Sequence, residues 1–235
     1  MELYPAIDLR RGRVVRLRQG DFDQETVYGD DPVAVARAYE AAGARWIHVV
    51  DLDAARRDGS NRDAVVAIAR AVSVPVQTGG GVRDGSLLDD GVERVVVGST
   101  AIEDPGIVRR LAAEYPGRIV VGLDHRDGEA RVRGWEQRSG RKLLDLIGEL
   151  ALPGVAAFVV TDISRDATMA GPDIDGLAEV ARHTSVPIVA SGGVGSLEDI
   201  AALRPTGVAG VIVGKALYEG MFTVDEALAV CAASG

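Results

Sequence analysis

Apolar residues along this chain gather into short β-branched runs, each followed by a glycine-rich or polar patch and then by a stretch with helical spacing. The runs fall at Leu3 to Ile7, Trp46 to Leu52, Val74 to Thr78, Arg94 to Val97, Ile119 to Leu123, Ala156 to Val160, Val186 to Ala190 and Gly210 to Val213. Segments such as Val95 to Val97 and Ile119 to Val121 are apolar on both faces, as expected of parallel strands covered by helices. Between the runs, Asp31-Pro32 and Asp104-Pro105 each set an acidic cap before a proline, while Ser196 to Asp199 and Thr223 to Glu226 read as capping boxes. Ala34, Ala38 and Ala41, then Val65, Ile68, Ala69 and Val72, recur at helical spacing. Eight strand–helix units in 235 residues come to about 29 residues each (235/8), which predicts an α/β fold, a single (β/α)8 or TIM barrel.

The second half of the chain repeats the first. Gly79-Gly-Gly-Val-Arg83 and Val97-Gly-Ser-Thr-Ala101 have counterparts in Ser191-Gly-Gly-Val-Gly195 and Val213-Gly-Lys-Ala-Leu217, and Asp8 after the first strand corresponds to Asp124 after the fifth. One barrel over residues 1–235, built of half-barrels at about 1–117 and 118–235, is therefore expected. The copies differ in one spacing: Gly81 to Gly98 is 17 positions, Gly193 to Gly214 is 21. Four missing residues equal about one helical turn, so the third helix, roughly Ser86 to Asp90, should be stunted and locally mobile.

Composition narrows the function. Hydrophobic residues make up 47% and aromatic residues 4%, so the core is aliphatic. Lys plus Arg is 26 against 35 Asp plus Glu, a net charge of −9, which disfavours a nucleic-acid partner. A single cysteine, Cys231, excludes an internal disulfide and fits a reducing cytoplasm; it reads as packing in the last helix. No run is long and apolar enough for a membrane span, and a cytoplasmic monomer is expected. The outlier is glycine, 29 residues, about 12% (29/235) where ~7% is usual.

Those glycines carry the candidate chemistry. In a barrel the strand C-termini open on one face, and glycine there lets the backbone approach a ligand with its N–H groups. Taken singly each pair reads as a tight turn. Recurring in symmetry, they predict two anion cups, one from Gly80, Gly81, Gly98 and Ser99, the other from Gly192, Gly193, Gly214 and Lys215, with Arg83 assisting the first. The ligand should then carry a phosphate at each end. Asp8 and Asp124 lie between the cups as a candidate acid–base pair, and Thr161 at the end of strand six could orient a carboxylate. Two long loops, 9–30 and 125–141, read as lids. The first carries Arg10, Arg11, Arg13, Arg16 and Arg18, with Val14 to Leu17 alternating like a hairpin arm; the second holds Arg131, Arg133 and Trp135, whose indole could stack on a planar ring. His48 and His183 read as structural, His125 less clearly so, and no spacing suggests a metal.

Ala6-Ile-Asp-Leu9, Gly12 to Leu17, Val49-Val-Asp-Leu-Asp53, Gly79 to Arg83, Arg133-Gly-Trp135, Thr161-Asp-Ile163, Ser191 to Val194 and Val213 to Leu217 together resemble the ProFAR isomerases of histidine biosynthesis. The resemblance runs from residue 1 to about 230 and implies a (β/α)8 barrel, a substrate with two phosphates and an Amadori rearrangement of an aminoaldose to an aminoketose. It implies Asp8 as the base that takes the C2 proton, Asp124 as the acid that helps open the ribose ring, and Thr161 as a positioning residue, without metal or cofactor. A cyclase relative shares the repeat, but its first strand motif has a Cys before the Leu-Asp where this chain has Ala6-Ile7-Asp8. A bifunctional actinobacterial type also isomerises phosphoribosylanthranilate, and Arg16, Arg133, Trp135 and Gly59-Ser-Asn61 resemble it too. A non-catalytic sugar-phosphate binding barrel would keep the cups and dispense with the aspartates.

Overall fold

The computed structural model describes residues 1–135 and 137–233. Eight parallel strands form the barrel: β1 (Glu2–Arg10), β2 (Ile47–Asp51), β3 (Val76–Gly79), β4 (Arg94–Val97), β5 (Ile119–Arg126), β6 (Val155–Asp162), β7 (Ile188–Ser191) and β8 (Gly210–Val213). Each pairs with the next, and β8 closes on β1 with Glu2 opposite Gly210 and Pro5 opposite Val213. All eight strands were legible as runs, but their ends differ for physical reasons. β3 and β7 begin at Val76 and Ile188, after Pro75 and Pro187, because proline has no N–H for the ladder. β1 and β5 run on past their aspartates to Arg10 and Arg126, so Asp8 and Asp124 lie within strands. There the chain folds back as an antiparallel hairpin that supplies partners, Asp8 opposite Val15 and His125 opposite Ala130.

Around the barrel lie α1 (Pro32–Ala41), α2 (Arg62–Ala71), α3 (Ser86–Asp89), α4 (Pro105–Glu114), α5 (Leu143–Leu150), α6 (Ile174–His183), α7 (Leu197–Leu203) and α8 (Val224–Ala232). The caps form as their residues predict: Asp31 and Asp104 accept from the N–H groups of Ala34 and Gly106, and both capping boxes are complete. The stunted helix is also present. α3 has four residues, whereas its repeat mate α7 has seven and continues into a 3₁₀ turn at Arg204–Thr206.

The two-residue period of the strands sorts side chains into two cores. Leu3, Ile7 and Leu9 of β1, with Ile119, Val121 and Leu123 of β5, pack outward against the helices. Tyr4, Ala6, Val96, Val120, Ala157, Val159, Val189 and Ile212 fill the barrel interior. Counting on by two from the inner set reaches the mouth: Ala6 leads to Asp8, Val120 through Gly122 to Asp124, and Val159 to Thr161. The inward parity of the strands thus fixes where the polar layer begins. Cys231 is buried in α8, its thiol pushed up to about 11 by burial, as expected of a packing residue. Among the described residues, no helix is long and apolar enough to cross a membrane.

Candidate active site

At the mouth a cavity of about 430 Å³ is lined by Asp8, Asp124, Thr161 and Trp135 and by the first glycine cup. β1 and β5 stand four places apart in a ring of eight, so Asp8 and Asp124 enter it from opposite sides. Parallel register sets Thr161 beside Asp124, where its hydroxyl favours the ionised carboxylate. Trp135 Nε1 donates to Asp124 Oδ2 at 2.7 Å. Burial raises the Asp124 pKa against the lowering influence of Trp135 and Thr161. The indole therefore engages a carboxylate and also packs on Gly20 of the first lid, where a Cβ would overlap it.

Asp8 is 8% exposed and forms an ion pair with Arg16, Nη1 to Oδ2 at 2.7 Å. Burial pushes its pKa up to about 6, against the lowering influence of Arg16 and with a further rise from Asp166. Asp166 lies 3.7 Å from Arg16 Nη2 and is likewise raised by burial. No period or motif in the sequence singles out Asp166. It sits in the turns after β6, and only the fold brings it to Arg16.

The cups share a backbone design. Gly80 and Gly81 after β3, and Gly192 and Gly193 after β7, all have φ between +67° and +98°. A Cβ on Gly80 would overlap the Asp51 carbonyl, and one on Gly193 the Gly171 carbonyl, so close backbone approach requires glycine in both copies. Gly98 and Gly214 each precede a short helix, Ser99–Glu103 and Lys215–Tyr218. Their surroundings differ. Gly98 faces open space, whereas a Cβ on Gly214 would meet the Arg16 guanidinium at 2.6 Å. The second cup, with Gly192, Gly214 and Lys215, consequently lines a separate space of about 30 Å³, walled by Arg16 and Asp166. Lys215 Nζ donates to the Ala167 carbonyl at 3.1 Å.

Both long loops are hairpins. Strands Arg13–Arg18 and Asp21–Gly29 pair in the first, Glu129–Val132 and Gln137–Lys142 in the second. The first is not a basic surface: Arg10 and Arg13 pair with Glu25 at 2.5 and 3.5 Å, and Arg16 turns inward. The Arg18 side chain lies outside the described part of the structure. In the second hairpin Arg133 pairs with Glu103 at 2.9 Å, while its N–H donates to Ser99 Oγ of the first cup at 2.8 Å. Arg83 is exposed at the cavity rim, joined there by Arg56 and Arg57, which the sequence did not single out. His48, expected to be structural, lines the cavity; its Nδ1 lies 3.1 Å from Gln77 Nε2 and burial lowers its pKa to about 4. His125 points to the outer side of β5, and His183 is exposed at the end of α6.

The mouth of the (β/α)8 barrel thus has a glycine pair at each of two ends and, between them, Asp8 and Asp124 facing inward from opposite strands. Residues 2–223 match the family model described as histidine biosynthesis protein. The chain belongs to that family. It is 49% identical to a Synechococcus protein and 50% identical to one from Gloeothece citriformis, each over 97% of this chain and 92% of the relative. With a protein of Rhizorhabdus wittichii it shares 48% identity over 97% of both chains. All three bear the name 1-(5-phosphoribosyl)-5-(5-phosphoribosylamino)methylideneamino-imidazole-4-carboxamide isomerase.

Proposed function

We infer that this protein is the aldose–ketose isomerase of histidine biosynthesis, converting ProFAR into its ribulosyl isomer. The observation that carries this reading is the pair of inward-facing carboxylates, Asp8 buried and Asp124 half-buried, on opposite strands of a cavity that has a glycine cup beside it at each end. An Amadori rearrangement needs a proton delivered to the ribose ring oxygen as the C1–O bond breaks and C1=N forms. It then needs removal of the C2 proton, leaving an enaminol; the C2 hydroxyl loses its proton as C1 gains one. No electrons leave the substrate, so acid and base groups suffice. Asp124, raised by burial, is the proposed acid, and Asp8 the proposed base. With its pKa near 6, Asp8 is ionised at neutral pH yet more basic than an ordinary carboxylate. Thr161 holds Asp124 in place. Gly80, Gly81, Gly98, Ser99 and Arg83 take one phosphate, Gly192, Gly193, Gly214 and Lys215 the other, and Arg16, Arg133 and Trp135 close over the substrate.

One observation favours a second assignment of the acid. Trp135 donates to Asp124, and both it and Thr161 favour the ionised form there, whereas Asp166 lies half-buried, 3.7 Å from Arg16, beside the second cup. Turnover of ProFAR by wild type, Asp124→Asn and Asp166→Asn decides between them. The acid's variant should lose about 10² to 10⁴ in kcat, and the other variant less. Wild type inactive on ProFAR would end the isomerase reading. The same assay with phosphoribosylanthranilate tests the bifunctional alternative. A monomer in the cytoplasm is the proposed working form.

A further inference from the structure

The end of β2 and the segment after it carry three buried polar residues, Asp51, Asp53 and Asn61, whose side chains belong to neither cup nor cavity chemistry. The Asn61 carboxamide joins them. Its Nδ2 donates to Asp51 Oδ1 at 2.7 Å and to Asp53 Oδ2 at 2.9 Å, and its backbone N–H donates to Asp51 Oδ2 at 2.6 Å. Its Oδ1 accepts from the N–H of Gly12 at 2.8 Å, while Asp53 Oδ2 accepts from the N–H of Arg11 at 2.6 Å. Arg11 and Gly12 are the two turn residues of the first hairpin, both left-handed with φ of 50° and 75°. Both N–H groups of that turn are therefore held by residues of another βα unit, about 40 to 50 positions along the chain.

Chemistry at position 61 is narrowly defined. Two donors must reach two carboxylates while one acceptor faces a backbone N–H, and a carboxamide alone among short side chains supplies all three. The turn also sets the pairing of the strands beyond it. A two-residue connection fixes Arg10 opposite Arg13 and Asp8 opposite Val15, and so delivers Arg16 to Asp8 and Asp166.

We propose that Asn61 is a positioning residue for the isomerase reaction: by clamping the Arg11–Gly12 turn onto Asp51 and Asp53 it holds the first hairpin closed and in register, with Arg16 seated between Asp8 and Asp166. The catalytic part of this inference rests on the isomerase reading; the clamp itself does not. Asp8 is faced by Arg16 from the hairpin, Asp166 from the segment after β6, Tyr39 from α1 and Tyr218 from the helix after β8. Of these only Arg16 is cationic, so its departure raises the Asp8 pKa further.

The test compares wild type with Asn61→Ala in two measurements. Trypsin under native conditions reads the hairpin, whose Arg10, Arg11, Arg13 and Arg16 are cleaved only when it opens; cleavage there should accelerate about tenfold or more in the variant. Steady-state kinetics on ProFAR should show kcat/KM reduced about tenfold, mostly through KM, with the acid limb of its pH profile moved to higher pH. Wild-type cleavage of the hairpin in Asn61→Ala would overturn the clamp. A lower Tm with unchanged KM and acid limb would reduce Asn61 to a purely structural role and overturn its link to the reaction. Should Asn61→Ala not fold, Gly12→Ala strains the same exposed turn, with open space around the added carbon, and should move both readouts in the same direction by less. Wild type without ProFAR turnover would defeat the isomerase reading and leave the trypsin comparison to decide the clamp.

Discussion

The two glycine cups are nearly the same object in sequence and backbone, yet they meet the solvent differently. The first opens into the 430 Å³ cavity, with empty space over Gly98; the second is reduced to about 30 Å³ by the guanidinium of Arg16. The barrel is common to both, and the difference comes from the lid that folds over it. A phosphate entering the second cup would meet the arginine that is bonded to Asp8 and near Asp166, and on the proposed function binding there would be coupled to the base. The first cup is linked to Asp124 by backbone instead of by an ion pair: the Arg133 N–H donates to Ser99 Oγ, and Trp135, two residues on, donates to Asp124.

Substitutions can break this comparison at several strengths. The largest effect is expected from Asp8→Asn, which removes the proposed base: kcat on ProFAR should fall about 10² to 10⁴-fold in a turnover assay. Next come Gly80→Ala and Gly193→Ala, where a left-handed φ and a clash with a neighbouring carbonyl act alike in both halves. Each should cost roughly 3 kcal/mol, lowering Tm by about 6 to 12 °C in a melt. Equal losses would confirm a common backbone design. Gly214→Ala and Gly98→Ala should separate the cups instead. The first displaces Arg16, and KM should rise about tenfold or more; the second fills open space, and KM should rise by less.

The fold was legible because two signals agreed: β-branched runs at regular intervals and glycine pairs at the same points of each half. The aspartates followed from the repeat. The register that puts Thr161 beside Asp124 was only half visible, because strand parity is readable but the strand opposite is not. Asp166 was illegible, since Ser164 to Asp166 carries no period and acquires meaning only where a turn meets a lid from 150 residues earlier in the chain (166 − 16 = 150). The pairing of Arg10 and Arg13 was hidden for a related reason: their acidic partner, Glu25, lies on the returning strand.

A smaller effect concerns stability. Burial raises the Asp8 pKa from 3.8 to about 6, so the folded protein holds this proton more tightly than the unfolded chain does. That contribution is present below about pH 4 and is lost as pH rises through about 6. The urea midpoint of Asp8→Asn relative to wild type should accordingly rise between about pH 4 and 7, since Asn carries no such proton.

The coupling of the second cup to the base is tested most directly by the pH dependence of kcat/KM on ProFAR for wild type, Gly98→Ala and Gly214→Ala. Wild type and Gly98→Ala should share an acid limb near pH 6, and Gly214→Ala, with Arg16 pushed off Asp8, should lose activity at a higher pH. Three coincident limbs would contradict that coupling.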